Sequence, residues 1–219
     1  MMMSKAISFL LAAAALALAP AAHAQSAAEG EKKASMCIGC HGIQGYQASF
    51  PEVYKVPMIA GQNAGYIASS LAAYKKGERK HPTMRAVAGS LTDADMADLA
   101  AFYAQYGASS VKPVADAPAA AASTEVAGLL AKGACASCHG ANFSKPIAPA
   151  YPKLAGQHAD YLYAALRAYG TQGNPHVGRG NAIMVVQVKP FKHDELKAMA
   201  KYLASLPGEI HTESHAWFR

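Results

Sequence analysis

Beyond residue 24 this 219-residue chain has no apolar stretch that reaches the roughly 20 residues a membrane-spanning helix needs. It has no alternating, strand-like pattern either. Its 20 Lys and Arg are scattered along the chain, which argues against a nucleic-acid surface. Cysteine is scarce: there are four, in two close pairs. A disulfide within either pair would close a cramped ring. A thioredoxin-type redox site is excluded on context, since no βαβ pattern surrounds either pair.

What is present begins with a leader. Residues 1–24 carry one basic residue, Lys5, an apolar run over 7–19, and the small-residue pattern Ala22-His23-Ala24. This reads as a secretory signal peptide cleaved after Ala24. The apolar run is too short for an anchor. The mature chain is therefore expected to be soluble outside the cytoplasm, in a bacterium in the periplasm.

The remainder is one unit written twice. Cys37-Ile38-Gly39-Cys40-His41 returns as Cys135-Ala136-Ser137-Cys138-His139, and Gly30 returns as Gly128, both at an offset of 98. Pro57-Met58-Ile59-Ala60-Gly61-Gln62 returns as Pro152-Lys153-Leu154-Ala155-Gly156-Gln157, followed by Tyr66/Tyr161 and Tyr74/Tyr169, at an offset of 95. Met84 and the segment through Tyr103 return as Met184 and the segment through Leu203, at an offset of 100. Two indels thus separate two copies. The expected organisation is a signal peptide 1–24, a first domain 25–108, an Ala/Pro-rich linker 109–123 and a second domain 124–219. Each copy is small for an independent core and is helped by an internal staple.

Both copies read as helical, and the expected fold class is all-α. Ile67, Leu71 and Tyr74 recur at helical spacing, as do Met96, Leu99, Ala100 and Tyr103, with Thr92 and Asp95 as a capping box. Leu162, Leu166 and Tyr169, then Leu196, Met199, Ala200 and Leu203, repeat the arrangement before Pro207-Gly208 ends it.

The chemistry lies in the duplicated Cys-x-x-Cys-His. Two thiols three positions apart add to the two vinyl groups of one haem, and the adjacent histidine then lies under the iron. The reading is two covalent c-type haems on Cys37, Cys40, Cys135 and Cys138, with His41 and His139 as axial ligands. One zinc site built from both pairs satisfies the spacing but leaves the two histidines and the duplication unexplained.

With the export signal, the paired haem motifs, the Pro-x-[Ile/Leu]-Ala-Gly-Gln segment and the tyrosine-bearing helix after it, the chain resembles the dihaem cytochrome c4 family over residues 28–206. The resemblance implies two tandem class I cytochrome c folds with neighbouring haems, and single-electron transfer between a quinol-oxidising complex and a terminal oxidase. It also implies that the carbonyls of Pro57 and Pro152 accept the proximal imidazole N–H groups.

The second axial ligand is argued from position. Met84 and Met184 stand 43 and 45 residues beyond their histidines, each read as lying in a loop, whereas Met36 abuts a cysteine, Met96 lies on an apolar helix face and Met58 is matched by Lys153. Met84 and Met184 are therefore the expected distal ligands. The rivals, His81 and His176, are related by 95 rather than the 100 of the methionine block. Thioether ligation raises the potential, as suits an oxidising chain. Tyr66, Tyr74, Tyr161 and Tyr169 are core or haem-contact candidates.

Charge is unequal between the copies. Residues 25–107 have eight basic and seven acidic side chains, and 124–219 have ten and six. Lys75, Lys76, Arg79 and Lys80 form one basic cluster, read either as a docking patch for an acidic redox protein or as solvated surface. The expected protein is a monomer without catalytic residues that reaches a membrane only through its redox partners. Two other readings stay open: a cytochrome subunit of a larger dehydrogenase, such as a sulfide-oxidising flavocytochrome, and a dihaem peroxidase, which the two methionines disfavour.

Overall fold

Residues 25–118 and 120–214 are described by the computed structural model; the leader read over 1–24 lies outside the described residues. No helix among the described residues is long and apolar enough to cross a membrane.

In the first copy, α1 (Ala27–Lys33) is started by the Ser26 hydroxyl, which accepts from the Glu29 N–H, and α2 (Ser35–His41) follows almost at once. Then come α3 (Ala64–Lys76), α4 (Pro82–Gly89) and α5 (Asp93–Gln105). The capping box at the start of α5 forms as read: Thr92 accepts from the Asp95 N–H and Asp95 accepts from the Thr92 N–H. The expected apolar stripe is buried, with Met96, Leu99, Ala100 and Tyr103 packed against Ile38 of α2 and Ile67 of α3. A 3-10 turn, Ala108–Ser110, closes the copy.

The second copy repeats the plan with α6 (Thr124–Lys132), α7 (Cys135–His139), α8 (Ala159–Gly170), α9 (Ala182–Val188) and α10 (His193–Ser205). Leu196, Met199, Ala200 and Leu203 of α10 face inward as the periodicity predicts. Between the copies, the described residues of 112–122 carry no helix or strand, yet they are held down. Asn142 Nδ2 donates to the Ala115 carbonyl, Lys145 pairs with Asp116, and the Tyr202 hydroxyl donates to the Ala120 carbonyl.

Among the described residues are four short strands that no sequence alternation announced, because two residues are too few to alternate. In the first copy β1 (Gln47–Ala48) pairs with β2 (Tyr54–Lys55) in the stretch that separates the two offsets of 98 and 95. The other pair joins the copies: β3 (Arg79–Lys80) runs antiparallel to β4 (Gly178–Arg179), with Arg79 opposite Arg179. The chain then returns to the first copy. After α10, the His211 N–H donates to the Ala60 carbonyl, and Ile210 is buried.

One pair of repeat positions has diverged in packing. A Cβ on Gly30 would run into the Asp98 carbonyl oxygen and stand 2.7 Å from Phe102 Cβ, so α1 crosses α5 at a distance only glycine allows. At Gly128 the same atom would meet nothing within 4 Å. Gly30→Ala is therefore expected to destabilise the protein by about 1–3 kcal/mol through overpacking. Gly128→Ala is expected to be neutral or to stabilise by up to about 1 kcal/mol through helix propensity. Denaturant unfolding of the two variants checks the contrast; equal effects would show that the helix crossing is not set by Gly30.

Candidate functional site

Each site is assembled from a one- or two-turn helix and a proline loop. On α2 and α7, residues three and four apart share a face, so Cys37, Cys40 and His41, and likewise Cys135, Cys138 and His139, are grouped by the helix itself. All four thiols are free and half-buried. Burial pushes the Cys37 thiol up to about 11 and the Cys135 thiol up as well. A nucleophilic redox pair needs the opposite shift. No group of three His, Cys, Asp or Glu converges among the described residues, so the two pairs do not make one zinc centre.

The two histidines are oriented alike. His41 Nδ1 lies 2.8 Å from the Pro57 carbonyl oxygen and His139 Nδ1 lies 3.0 Å from that of Pro152. A carbonyl oxygen only accepts, so both Nδ1 atoms carry the proton and both Nε2 lone pairs are left for a ligand. Burial is the main influence on each ring and lowers its pKa against the raising effect of the proline carbonyl; Arg79 and His81 lower His41 further. Both imidazoles are therefore held neutral, the form that binds a metal.

Met84 and Met184 occur at equivalent places, in helices rather than in the loops expected. Each is the third residue of a short helix, α4 or α9. Local caps explain the helices. Pro82 opens α4 and His81 Nδ1 accepts from the Met84 N–H at 3.3 Å, while Asn181 Oδ1 accepts from the Met184 N–H at 3.0 Å. His81 is thereby engaged as a cap through Nδ1, and His176 is exposed beside Phe50. Met58 faces the join between the copies, where Gln157 binds both its N–H and its carbonyl.

The basic cluster read at 75–80 is not one surface patch. The strand pairing turns Arg79 inward and Lys80 outward. Arg79 is 9% exposed and donates to Tyr161 Oη at 2.6 Å and Tyr66 Oη at 3.3 Å, while Lys80 is tied to the Asn174 carbonyl and Lys75 to that of Leu91. Arg179 donates to the same Tyr161 oxygen at 3.0 Å. Arg79 also lies over the Tyr74 ring, and Arg179 over the Tyr161 and Tyr169 rings. The four repeated tyrosines thus meet two guanidiniums at the join. Burial pushes the Tyr66 phenol up, but the two guanidiniums outweigh it and hold the phenol well below its ordinary value.

Sequence reasoning passed over Arg179 and both glutamines. The signal was there: Arg79 and Arg179 share the methionine offset of 100, each five residues before its methionine. Neither arginine forms an ion pair among the described residues, and Arg79 Nε has no hydrogen-bond partner. A buried guanidinium beside a half-buried one, with no anion between them, is costly. A group that brings vinyl carbons, iron and carboxylates fits what the residues offer: paired thiols, a neutral imidazole with Nε2 free, a thioether on a matched helix, and uncompensated positive charge.

The shared phenol gives a direct check. Tyr161→Phe removes an acceptor from both guanidiniums and is expected to cost about 1–3 kcal/mol in denaturant unfolding, against little change for exposed Tyr46→Phe. A Tyr161→Phe protein as stable as the parent would show that the arginines are satisfied elsewhere.

The geometry agrees with the comparisons with known proteins. The cytochrome c family model matches residues 27–105 and 123–207. Cytochrome c4 of Azotobacter vinelandii is 31% identical, over 93% of this chain and all of its own length. The thiosulfate dehydrogenase electron acceptor of Stutzerimonas stutzeri is also 31% identical, over 79% of this chain and 80% of its own. The crystal structure of reduced recombinant cytochrome c4 from Pseudomonas stutzeri superposes with a TM-score of 0.60 at 26% identity, over 84% of this chain and all of that one. The chain belongs to the cytochrome c family, as a dihaem c-type electron carrier of the cytochrome c4 kind and not an enzyme.

Proposed function

We propose that one haem is bonded to Cys37 and Cys40 with His41 and Met84 as its axial ligands, and the other to Cys135 and Cys138 with His139 and Met184. The observation that carries this is the duplicated pairing of a haem-motif histidine with a proline carbonyl, at 2.8 and 3.0 Å, each followed by a methionine at the same turn of a matched helix. Bound there, each haem supplies a one-electron Fe(III)/Fe(II) couple. The protein's residues do the rest. Pro57 and Pro152 hold each imidazole in one tautomer and orientation. Met84 and Met184 supply soft thioethers that favour the ferrous state. Arg79 and Arg179 would supply positive charge to haem carboxylates, and Tyr66, Tyr74, Tyr161 and Tyr169 position the two guanidiniums.

The role we assign is that of a periplasmic carrier, exported by the segment 1–24, which takes electrons from a quinol-oxidising complex and delivers them to a terminal oxidase. A second donor class is favoured by a specific similarity, since one relative is named for accepting electrons from thiosulfate dehydrogenase. The reading of a dehydrogenase partner therefore stands beside the respiratory one. Native mass of the protein from its host separates a free carrier from a permanent subunit. Reduction in a membrane fraction by quinol, or by thiosulfate in a soluble extract, separates the donors.

Mass spectrometry after acid-acetone extraction is expected to show both haems retained; one or none overturns the attachment. Met84→Ala and Met184→Ala are each expected to lower the potential of one haem and to let its iron bind carbon monoxide, while Met58→Ala leaves the ferric methionine-sulfur band intact. If the parent protein already binds carbon monoxide at one haem, the methionine assignment is wrong.

A further inference from the structure

We propose that Gln157 tunes the haem of the first domain and Gln62 that of the second, each acting across the join through a single peptide group. This rests on His41 and His139 being axial ligands. Pro57 and Met58 share an amide: its carbonyl oxygen accepts from His41 Nδ1 at 2.8 Å, and its N–H donates to Gln157 Oε1 at 3.0 Å. Gln157 Nε2 returns a bond to the Met58 carbonyl at 2.9 Å, which fixes the side chain at two points. In the other direction, His139 Nδ1 lies 3.0 Å from the Pro152 carbonyl oxygen, the Lys153 N–H donates to Gln62 Oε1 at 2.9 Å, and Gln62 Nε2 donates to the Lys153 carbonyl at 2.9 Å. Both glutamines are 4% exposed, so water does not compete for these bonds.

Hydrogen bonds in series polarise one another. An amide whose N–H is donated carries more negative charge on its oxygen and is a better acceptor. The stronger the bond it draws from Nδ1–H, the more electron density the ring places on Nε2, and the more the ferric state is favoured. Each glutamine thus lowers the potential of the haem in the domain to which it does not belong. A glutamine that only glued the interface would act otherwise. Its loss would admit water, stabilise the more highly charged ferric form and lower the potentials of both haems together.

The test uses the full dihaem protein. Gln157→Leu is expected to raise the potential of the first haem, a few-fold shift in its reduction equilibrium, and leave the second unchanged; Gln62→Leu is expected to do the reverse. In proton NMR, the hyperfine-shifted Nδ1–H of His41 should move only in the Gln157 variant and that of His139 only in the Gln62 variant. Should a leucine variant fail to accumulate, Gln157→Glu and Gln62→Glu keep an acceptor for the same N–H and must leave the cross-domain potential at or below that of the parent. The proposal is overturned if each variant moves the haem of its own domain, if both haems move together, if neither moves, or if a glutamate variant raises the cross-domain potential. A parent protein with no hyperfine-shifted imidazole Nδ1–H would instead refute the histidine ligation beneath it.

Discussion

A carbonyl oxygen can accept a hydrogen bond and cannot donate one, and at Pro57 and Pro152 that restriction organises the molecule. It decides the tautomer of His41 and His139, leaves each Nε2 lone pair free for a ligand, and fixes the ring plane relative to α2 and α7. Proline suits the position because it lacks an N–H of its own and holds φ nearly fixed, so its carbonyl is aimed by the backbone alone. The residue after each proline then presents its N–H and carbonyl to the other copy. The orientation of each imidazole and the contact between the halves thus rest on consecutive bonds of one stretch of chain.

Much of this was legible in the sequence, for identifiable reasons. The duplicated Cys-x-x-Cys-His fixes its chemistry at short range, and a five-residue helix needs no distant information. The stripes of α5 and α10 follow from a 3.6-residue period that burial respects. The equivalent positions of Met84 and Met184 in the two copies follow from register. Their placement in helices does not, because the His81 and Asn181 caps that start α4 and α9 lie outside any apolar periodicity.

The join between the copies was illegible for a different reason. Arg79, in a run of basic residues, looks like solvated surface until β4 is known to lie beside it, since only that pairing shows which face of the strand turns inward. The tyrosines, candidates for core or haem contact at helical spacing, are half-buried and gathered around guanidiniums, Tyr169 also packing against the apolar side chains of the second copy. A repeat reports what each unit does and says little about how the units meet.

The copies are also tied together unequally. The segment after α10 lays the Glu209 carbonyl against Gly61, which at φ 76 has no Cβ in the way, and its Glu209 carboxylate pairs with Lys153. Gly61 is translated about 150 residues ahead of that segment. The edge of the first copy beside Ala60 is thus covered by the last stretch of the second, and a chain cut before Glu209 would leave that edge open even with the whole first copy present.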